Sequence, residues 1–484
     1  MTFDQKENIG FATQAGAKQL FLRYGVGFLI NVAGTIVIAR KGGPALWGLF
    51  AVSQVVLTIF AVLSHGCWGY LIQNKSVPDR QLIGNCYTLQ TLISVSWAVI
   101  ILALSSFLSD RLSSKDLFPL LLATVFGGFF YGWRYVICGL SERNLQYGTA
   151  AAAELSDILV FNSVAVALAL FGYPYYGILA GNIFRGVVST FVAHRRARQN
   201  IYFLFERSTF KRVARFSFPF SSFIALQWLP IYAGPVVAGS FLTVRELGIL
   251  QLAYKTVEYP RVMVTIAFRL SMSVFARAGQ TVEEIRQSTQ KVVDFLFFLL
   301  VPAMIILVGV SPLWVPFVYG AAWLKMTSVM GIIVFPYLIM ALMMILSSLQ
   351  SARGNAKASF TFYAIYNCFY WSSLIIMVTK IGFYGAPVAE WIALIGCTVL
   401  LLELRSTTGI LKIVIKYIII LSVVSGAVLF LGQVALYRSL LQTVVLGSTL
   451  IIVWFLFSPA KKEMAKWLYQ HRVPAADQST VLKK

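Results

Sequence analysis

Long apolar runs alternate with short polar gaps from near residue 17 to residue 457. Each run matches the roughly 20 apolar residues that a helix needs to cross a hydrocarbon core of about 30 Å. The runs lie at 17–39, 47–72, 81–107, 117–140, 148–171, 174–194, 216–239, 247–275, 290–311, 322–349, 358–380, 384–403, 410–432 and 438–457. Strands of a membrane barrel would be shorter and strictly alternating, so these runs predict helices. The eighth run is the least regular, because it carries Lys255, Glu258, Arg261 and Arg269. The expected fold is an all-α polytopic membrane protein with about 14 transmembrane helices.

Composition agrees with a bilayer environment. Charged residues make up 12% of the chain and hydrophobic ones 58%, against about 25% charged in a soluble domain. No polar gap is long enough for a separate soluble domain. The first 16 residues are polar, and no cleavage site follows a short apolar core, so the first helix is expected to remain in the mature chain.

The formal net charge is +22, from 40 Lys and Arg against 18 Asp and Glu. No basic soluble module or RNA-binding signature accompanies it, so nucleic acid is not an expected partner. The positions of the charges are more informative. With both termini cytoplasmic and residues at span edges assigned to the adjoining loops, 27 basic residues face the cytoplasm and 8 face outward. That bias is the one expected of an inner-membrane protein whose basic loops lie near anionic lipid.

The most basic stretch, 194–215, interleaves Arg and Lys with Ile201, Phe203, Leu204 and Phe205, and could lie along the inner membrane surface. It divides the chain into an N-terminal lobe of helices 1–6 (1–200), a basic linker with a C-terminal lobe of helices 7–12 (201–403), and helices 13–14 with a tail (404–484). The two lobes carry a short internal likeness. Residues 39–51 read ARKGGPALWGLFA and residues 238–253 read AGSFLTVRELGILQLA, with Gly48 and Gly248 at matching points. An internal duplication of this kind is common among transporters.

Ionisable residues inside apolar spans are the candidate functional positions, since each costs about 2.5–3.5 kcal/mol at mid-bilayer on insertion scales. The cations are Arg23, Arg134, Arg185, Lys255, Arg261 and Arg269. Together around one centre they would suit phosphate or pyrophosphate. Arg23 and Arg269 could instead snorkel to the interface, and Glu258, three residues from both Lys255 and Arg261, could neutralise its neighbours. The acidic set is Glu154, Asp157, Glu258 and Glu390. Glu154 and Asp157 share a helix face and could bind H+ or Na+ for coupling, although a salt bridge to Arg134 or Arg185 is the simpler expectation.

Pro219, Pro230 and Pro235 in the seventh span and Pro260 in the eighth predict bent helices. Trp228, Tyr254, Tyr259 and Trp391 could present flat faces to sugar rings, but aromatic residues form 14% of the chain and no single one stands out. Cys67, Cys86, Cys138, Cys368 and Cys397 lack paired spacing and read as small buried hydrophobes. The three histidines are scattered, and no nucleophile elbow, P-loop or metal cluster is present. Neither an enzyme nor a cofactor is expected. A membrane glycan polymerase or ligase would also want a long external loop, and none appears.

Ile38-Ala39-Arg40, Trp47-Gly48, Gly66-Cys67-Trp68-Gly69 and Leu71-Ile72-Gln73 resemble the opening motifs of the polysaccharide-transporter branch of the multidrug/oligosaccharidyl-lipid/polysaccharide exporter superfamily, the O-antigen and exopolysaccharide flippases. Leu247-Gly248-Ile249 with Ala253 resembles the second-half counterpart. The resemblance implies two six-helix lobes around a central cavity, with two further helices outside. It implies a flippase that moves an undecaprenyl-pyrophosphate-linked oligosaccharide from the cytoplasmic to the periplasmic leaflet for O-antigen, capsule or exopolysaccharide synthesis. Expected partners are that lipid-linked oligosaccharide, membrane lipids, H+ or Na+, and polysaccharide polymerase machinery. A cation-coupled multidrug exporter and a lipid II flippase of the same superfamily are the alternatives.

Overall fold

A computed structural model describes residues 3–74, 77–112, 114–260, 263–264, 282–353, 355–404, 409–437 and 440–457, with most side chains from residue 25 onward. Among the described residues every regular element is helical. The helices are α1 (Phe3–Gln73), α2 (Arg80–Arg111), α3 (Leu117–Arg143), α4 (Tyr147–Leu170), α5 (Pro174–Ala197), α6 (Arg207–Gly239), α7 (Val244–Glu258), α8 (Val282–Met304), α9 (Ser311–Val318), α10 (Met326–Ala352), α11 (Ala356–Ile381), α12 (Gly385–Ala393), α13 (Cys397–Leu404), α14 (Ile410–Tyr437) and α15 (Leu440–Phe457). In hydrocarbon each backbone amide must find its partner within the segment, which is why apolar runs of this length become helices.

Ten stretches of the described residues are long and apolar enough to cross a membrane. Two of them, Gly25–Gln73 and Lys357–Leu404, are 49 and 48 residues long. At about 1.5 Å per residue, each exceeds twice the core thickness and holds two expected spans. Gly43 divides the first of these: its φ of 71° lies in the left-handed region, and Pro44 follows with no N–H to donate. Gly382, at φ 60°, ends α11 in the same way and starts the turn into α12. Each expected run therefore falls on a described helix, the eighth only over its first half. Residues 261–262 and 265–281 of that run and its following loop lie outside the described residues.

The chain divides into two compact units, Met1–Leu252 and Ala253–Lys484. In the first, α1 packs along α3, α4 and α6, α3 along α2 and α5, and α4 along α5. The motif glycines Gly66 and Gly69 lie against Ser217 and Phe220 of α6. The two matching glycines of the internal likeness meet each other: a Cβ on Gly248 would fall 1.8 Å from the Pro44 carbonyl oxygen and 2.8 Å from the Gly48 nitrogen. One on Gly48 would fall 2.2 Å from the Val244 carbonyl oxygen. Only glycine permits this backbone-to-backbone approach.

The basic linker is not one continuous helix. α5 stops at Arg198, whose φ is 50°, and residues 199–206 run without helix along α2. Thr88 Oγ1 donates to the Leu204 carbonyl at 2.8 Å, and the Glu206 N–H donates to Asn85 Oδ1 at 3.0 Å. Hydroxyl groups of Ser208 and Thr209 donate to the Glu206 carboxylate and hold its pKa below the ordinary glutamate value. In the second unit α10 packs along α14 and α11 along α12. The Tyr417 hydroxyl donates to Asp294, and its ring stacks on Phe297 at 5.2 Å, which ties α14 to α8.

Overpacking a tight contact costs about 1–3 kcal/mol. Gly248→Ala is therefore expected to lower the Tm of the purified chain in detergent, whereas Gly426→Ala, with nothing within 4 Å of the added Cβ, leaves it unchanged. Thermal unfolding followed by size-exclusion chromatography checks both.

Candidate functional site

Three of the sequence candidates, Arg134, Asp157 and Arg185, come together inside the first unit. Small residues make this possible: a Cβ on Gly186 of α5 would lie 1.8 Å from the Gly127 carbonyl oxygen of α3. The two helices run side by side, so Arg134 faces Ser189 and Arg185. Asp157 enters from α4. Arg185 grips it bidentately, Nε to Oδ1 at 3.0 Å and Nη2 to Oδ2 at 2.8 Å. Tyr131 donates its hydroxyl to Oδ1 at 2.7 Å, and Arg134 Nη1 lies 3.6 Å from the same oxygen. Arg134 and Asp157 are buried at 5% and 7% exposure. The simpler sequence expectation for Asp157 is a salt bridge to Arg134 or Arg185; in the structure its carboxylate pairs with Arg185 at 2.8 Å and also lies 3.6 Å from Arg134.

The two guanidinium groups are used differently. Arg185 gives Nε and Nη2 to Asp157 and Nη1 to Gln54 Oε1 at 3.4 Å, and lies over the Phe161 ring at 4.9 Å. All three of its nitrogens are engaged. Arg134 gives Nη1 to Ser189 Oγ at 3.1 Å and sits over the Tyr131 ring at 4.0 Å and the Tyr135 ring at 5.5 Å. Its Nε and Nη2 hydrogens go to no described residue. A guanidinium with free donors, a fixed position and a counter-charge already shared with a neighbour is suited to a phosphate oxygen.

Beyond Arg134 the site turns aromatic. His65 of α1 sits among Tyr135 of α3, Trp228 of α6 and Trp68 of its own helix, with centroids 4.7, 5.3 and 5.7 Å away. Trp228 also lies near Tyr232 at 6.2 Å. Trp68 Nε1 donates to Glu142 Oε2 at 3.1 Å, which fixes the indole.

The other candidates lie elsewhere or outside the described residues. Nothing is described of the side chain of Arg23, and Arg261 and Arg269 lie outside the described residues. Lys255 and Glu258 are half-buried on the last turn of α7, and Pro260 lies two residues beyond the end of that helix. Glu154 is half-buried one turn before Asp157 on α4. In the second unit Glu390 accepts from the Tyr366 hydroxyl at 2.5 Å, and Tyr366 stacks on Tyr370 at 6.2 Å and 5°. Pro219, Pro230 and Pro235 all lie within α6. Cys67, Cys86, Cys138 and Cys397 are buried and form no disulfide, while Cys368 is exposed rather than buried. Tyr131, Tyr135, Ser189, Gln54, His65 and Trp68 belong to the site without having been singled out for it. Trp68 stands in the Gly66-Cys67-Trp68-Gly69 motif, whereas the other five carry no sequence signal, because each is an ordinary residue of an apolar span brought in by packing.

The sequence profile of a family described as polysaccharide biosynthesis protein matches residues 37–328, more than half of the chain. The teichuronic acid biosynthesis protein TuaB of Bacillus subtilis (strain 168) is 25% identical over 340 residues, 68% of this chain and 67% of that protein. The lipopolysaccharide biosynthesis protein WzxC of Escherichia coli (strain K12) is 23% identical over 335 residues, 67% of each. Among solved structures, the inward closed conformation of the lipid II flippase MurJ superposes with a TM-score of 0.67 at 15% identity, covering 92% of this chain and 98% of that one. An inward-facing multidrug resistance MATE family transporter gives 0.63 at 15% identity, covering 85% and 99%. These structures share the fold.

Removing one member of a buried ion pair costs about 3–5 kcal/mol, because the other charge is left uncompensated. Asp157→Asn is expected to destabilise the chain by that order. The double variant Asp157→Asn, Arg185→Gln is expected to lose less than the sum of the single changes, as thermal unfolding of the purified proteins will measure.

Proposed function

The chain belongs to the polysaccharide biosynthesis protein family, and we propose that it is a flippase for a lipid-linked oligosaccharide in the bacterial inner membrane. Its cargo is an undecaprenyl-pyrophosphate-linked oligosaccharide, moved from the cytoplasmic to the periplasmic leaflet by alternating access, for O-antigen, capsule or exopolysaccharide synthesis. Both termini face the cytoplasm, in keeping with the excess of basic residues in the loops on that side.

The observation that carries this reading is Arg134: a buried guanidinium, held by Tyr131 and Ser189, with donors that no described residue takes. A pyrophosphate offers oxygens to those donors while the polyprenyl tail stays in lipid. Arg185 and Asp157 act as positioning residues, since their fork-to-fork pair fixes the wall against which Arg134 stands. Two guanidinium groups against one carboxylate favour an anionic cargo over a cationic drug. Arg23, Lys255, Arg261 and Arg269 remain proposed further contacts along the path. Glu154, Glu258 and Glu390 remain proposed sites of H+ or Na+ coupling. The similarity to MurJ and to a MATE transporter supports a transporter rather than an enzyme.

A strain of the native host lacking this gene is expected to accumulate an undecaprenyl-pyrophosphate oligosaccharide, detected by mass spectrometry of lipid extracts. Arg134→Ala is expected to restore less than a tenth of the surface polysaccharide that the wild-type gene restores, and Arg134→Lys an intermediate amount, since a point charge replaces a planar fork. Unchanged lipid intermediates in the deletion strain, with new sensitivity to cationic drugs, would sink the flippase reading.

A further inference from the structure

We propose that His65, Trp68, Tyr135 and Trp228 form a saccharide-stacking subsite beside Arg134, which takes the sugar joined directly to the pyrophosphate. The inference rests on the flippase reading and assigns it a specificity-determining wall.

The rings of Trp68, Tyr135 and Trp228, from α1, α3 and α6, lie around that of His65 at 4.7–5.7 Å. They adjoin the proposed phosphate contact, because Tyr135 follows Arg134 in the chain and its ring also lies 5.5 Å from that guanidinium. A sugar linked to pyrophosphate is one bond from the phosphate oxygen, so the surface that reads it must border the cation. This one does.

These rings are less enclosed than the largest core aromatic residues of the same unit. Trp47, Phe60 and Tyr87 in the same unit are fully enclosed, at 2%, 1% and 0% exposure. His65, Trp68, Tyr135 and Trp228 are each half-buried. Aromatic rings of this kind offer rigid, flat apolar area with a polar handle, which suits the C–H faces and hydroxyl edges of a pyranose.

The handles are also available. His65 Nδ1 donates to the Ala61 carbonyl at 2.7 Å. That bond puts the proton on Nδ1 and leaves Nε2 as an acceptor for a sugar hydroxyl. The indole N–H of Trp228 donates to no described residue and can meet a ring or hydroxyl oxygen. Trp68, by contrast, is anchored through Glu142 and supplies a fixed face. A wall with one acceptor, one donor and stacking faces distinguishes a glycosylated cargo from a bare lipid pyrophosphate, because an unmet polar group in a dry site is penalised.

The test uses the full chain in lipid nanodiscs and isothermal titration with two kinds of ligand. One is undecaprenyl pyrophosphate. The other is undecaprenyl pyrophosphate carrying glucose, galactose or N-acetylglucosamine. The wild type is expected to bind at least one glycosylated ligand about tenfold or more tighter than the bare lipid. Trp228→Ala and His65→Ala are each expected to reduce that preference below threefold with bare-lipid affinity unchanged, Trp228→Phe to retain most of it, and Arg134→Ala to weaken both kinds of ligand. Equal loss on both kinds of ligand in the Trp228 and His65 variants, or a wild type with no preference, would overturn the subsite and leave the anion site standing. A wild type that binds none of these lipids would overturn the flippase reading together with the subsite.

Discussion

Asp157, shared by two guanidinium groups inside a helical bundle, ties α4 to α3 and α5, and through Gln54 to α1. Each of the three charges alone would be costly in an apolar interior. Together they compensate one another unequally: Arg185 is engaged through all three of its nitrogens, while among the described residues Arg134 is bonded through Nη1 alone. The asymmetry follows from geometry. The bidentate fork can serve only one arginine at a time, and Tyr131 occupies a further lone pair of Oδ1. Position and reactivity of Arg134 therefore depend on the carboxylate, although the carboxylate need never touch a substrate.

The approach of the helices is what allows this arrangement. Gly127 and Gly186 bring α3 and α5 into backbone contact, so side chains one or two turns further on can meet directly. Membrane helices gain little from excluding water from one another, and close packing of small residues supplies much of their attraction. The same device operates where Gly48 meets Gly248. Two segments alike in sequence touch at their equivalent positions, as a self-complementary contact requires. A residue larger than glycine at either point would hold both backbones apart.

From Arg134 to Trp228 the wall changes character over a short distance, from a fixed cation to flat rings with polar edges. An amphiphile with a charged joint and a sugar on one side of it has the same order of chemistry. The apolar remainder of such a molecule needs no protein pocket when bilayer lies on every side.

Much of the architecture was legible in the chain before any coordinates. Apolar runs of spanning length dictate helices because hydrocarbon offers backbone amides no other partner. The rarity of charge in those runs marked Arg134, Asp157 and Arg185, and a salt bridge from Asp157 to one of the two arginines followed from the cost of leaving it alone; that both share it is a fact of the packing. The gap between the first two runs, at residues 40–46, and the matching glycines were visible as well. Their contact was not, since sequence likeness carries no distance. The sequence also could not separate Arg134 from Arg185, or Trp228 from the chain's many other aromatic residues. Those distinctions depend on which donors a neighbour occupies and which ring faces a neighbour covers. Helices far apart in the chain decide both, so the tertiary structure alone made Arg134 the open cation and His65 the centre of the aromatic wall.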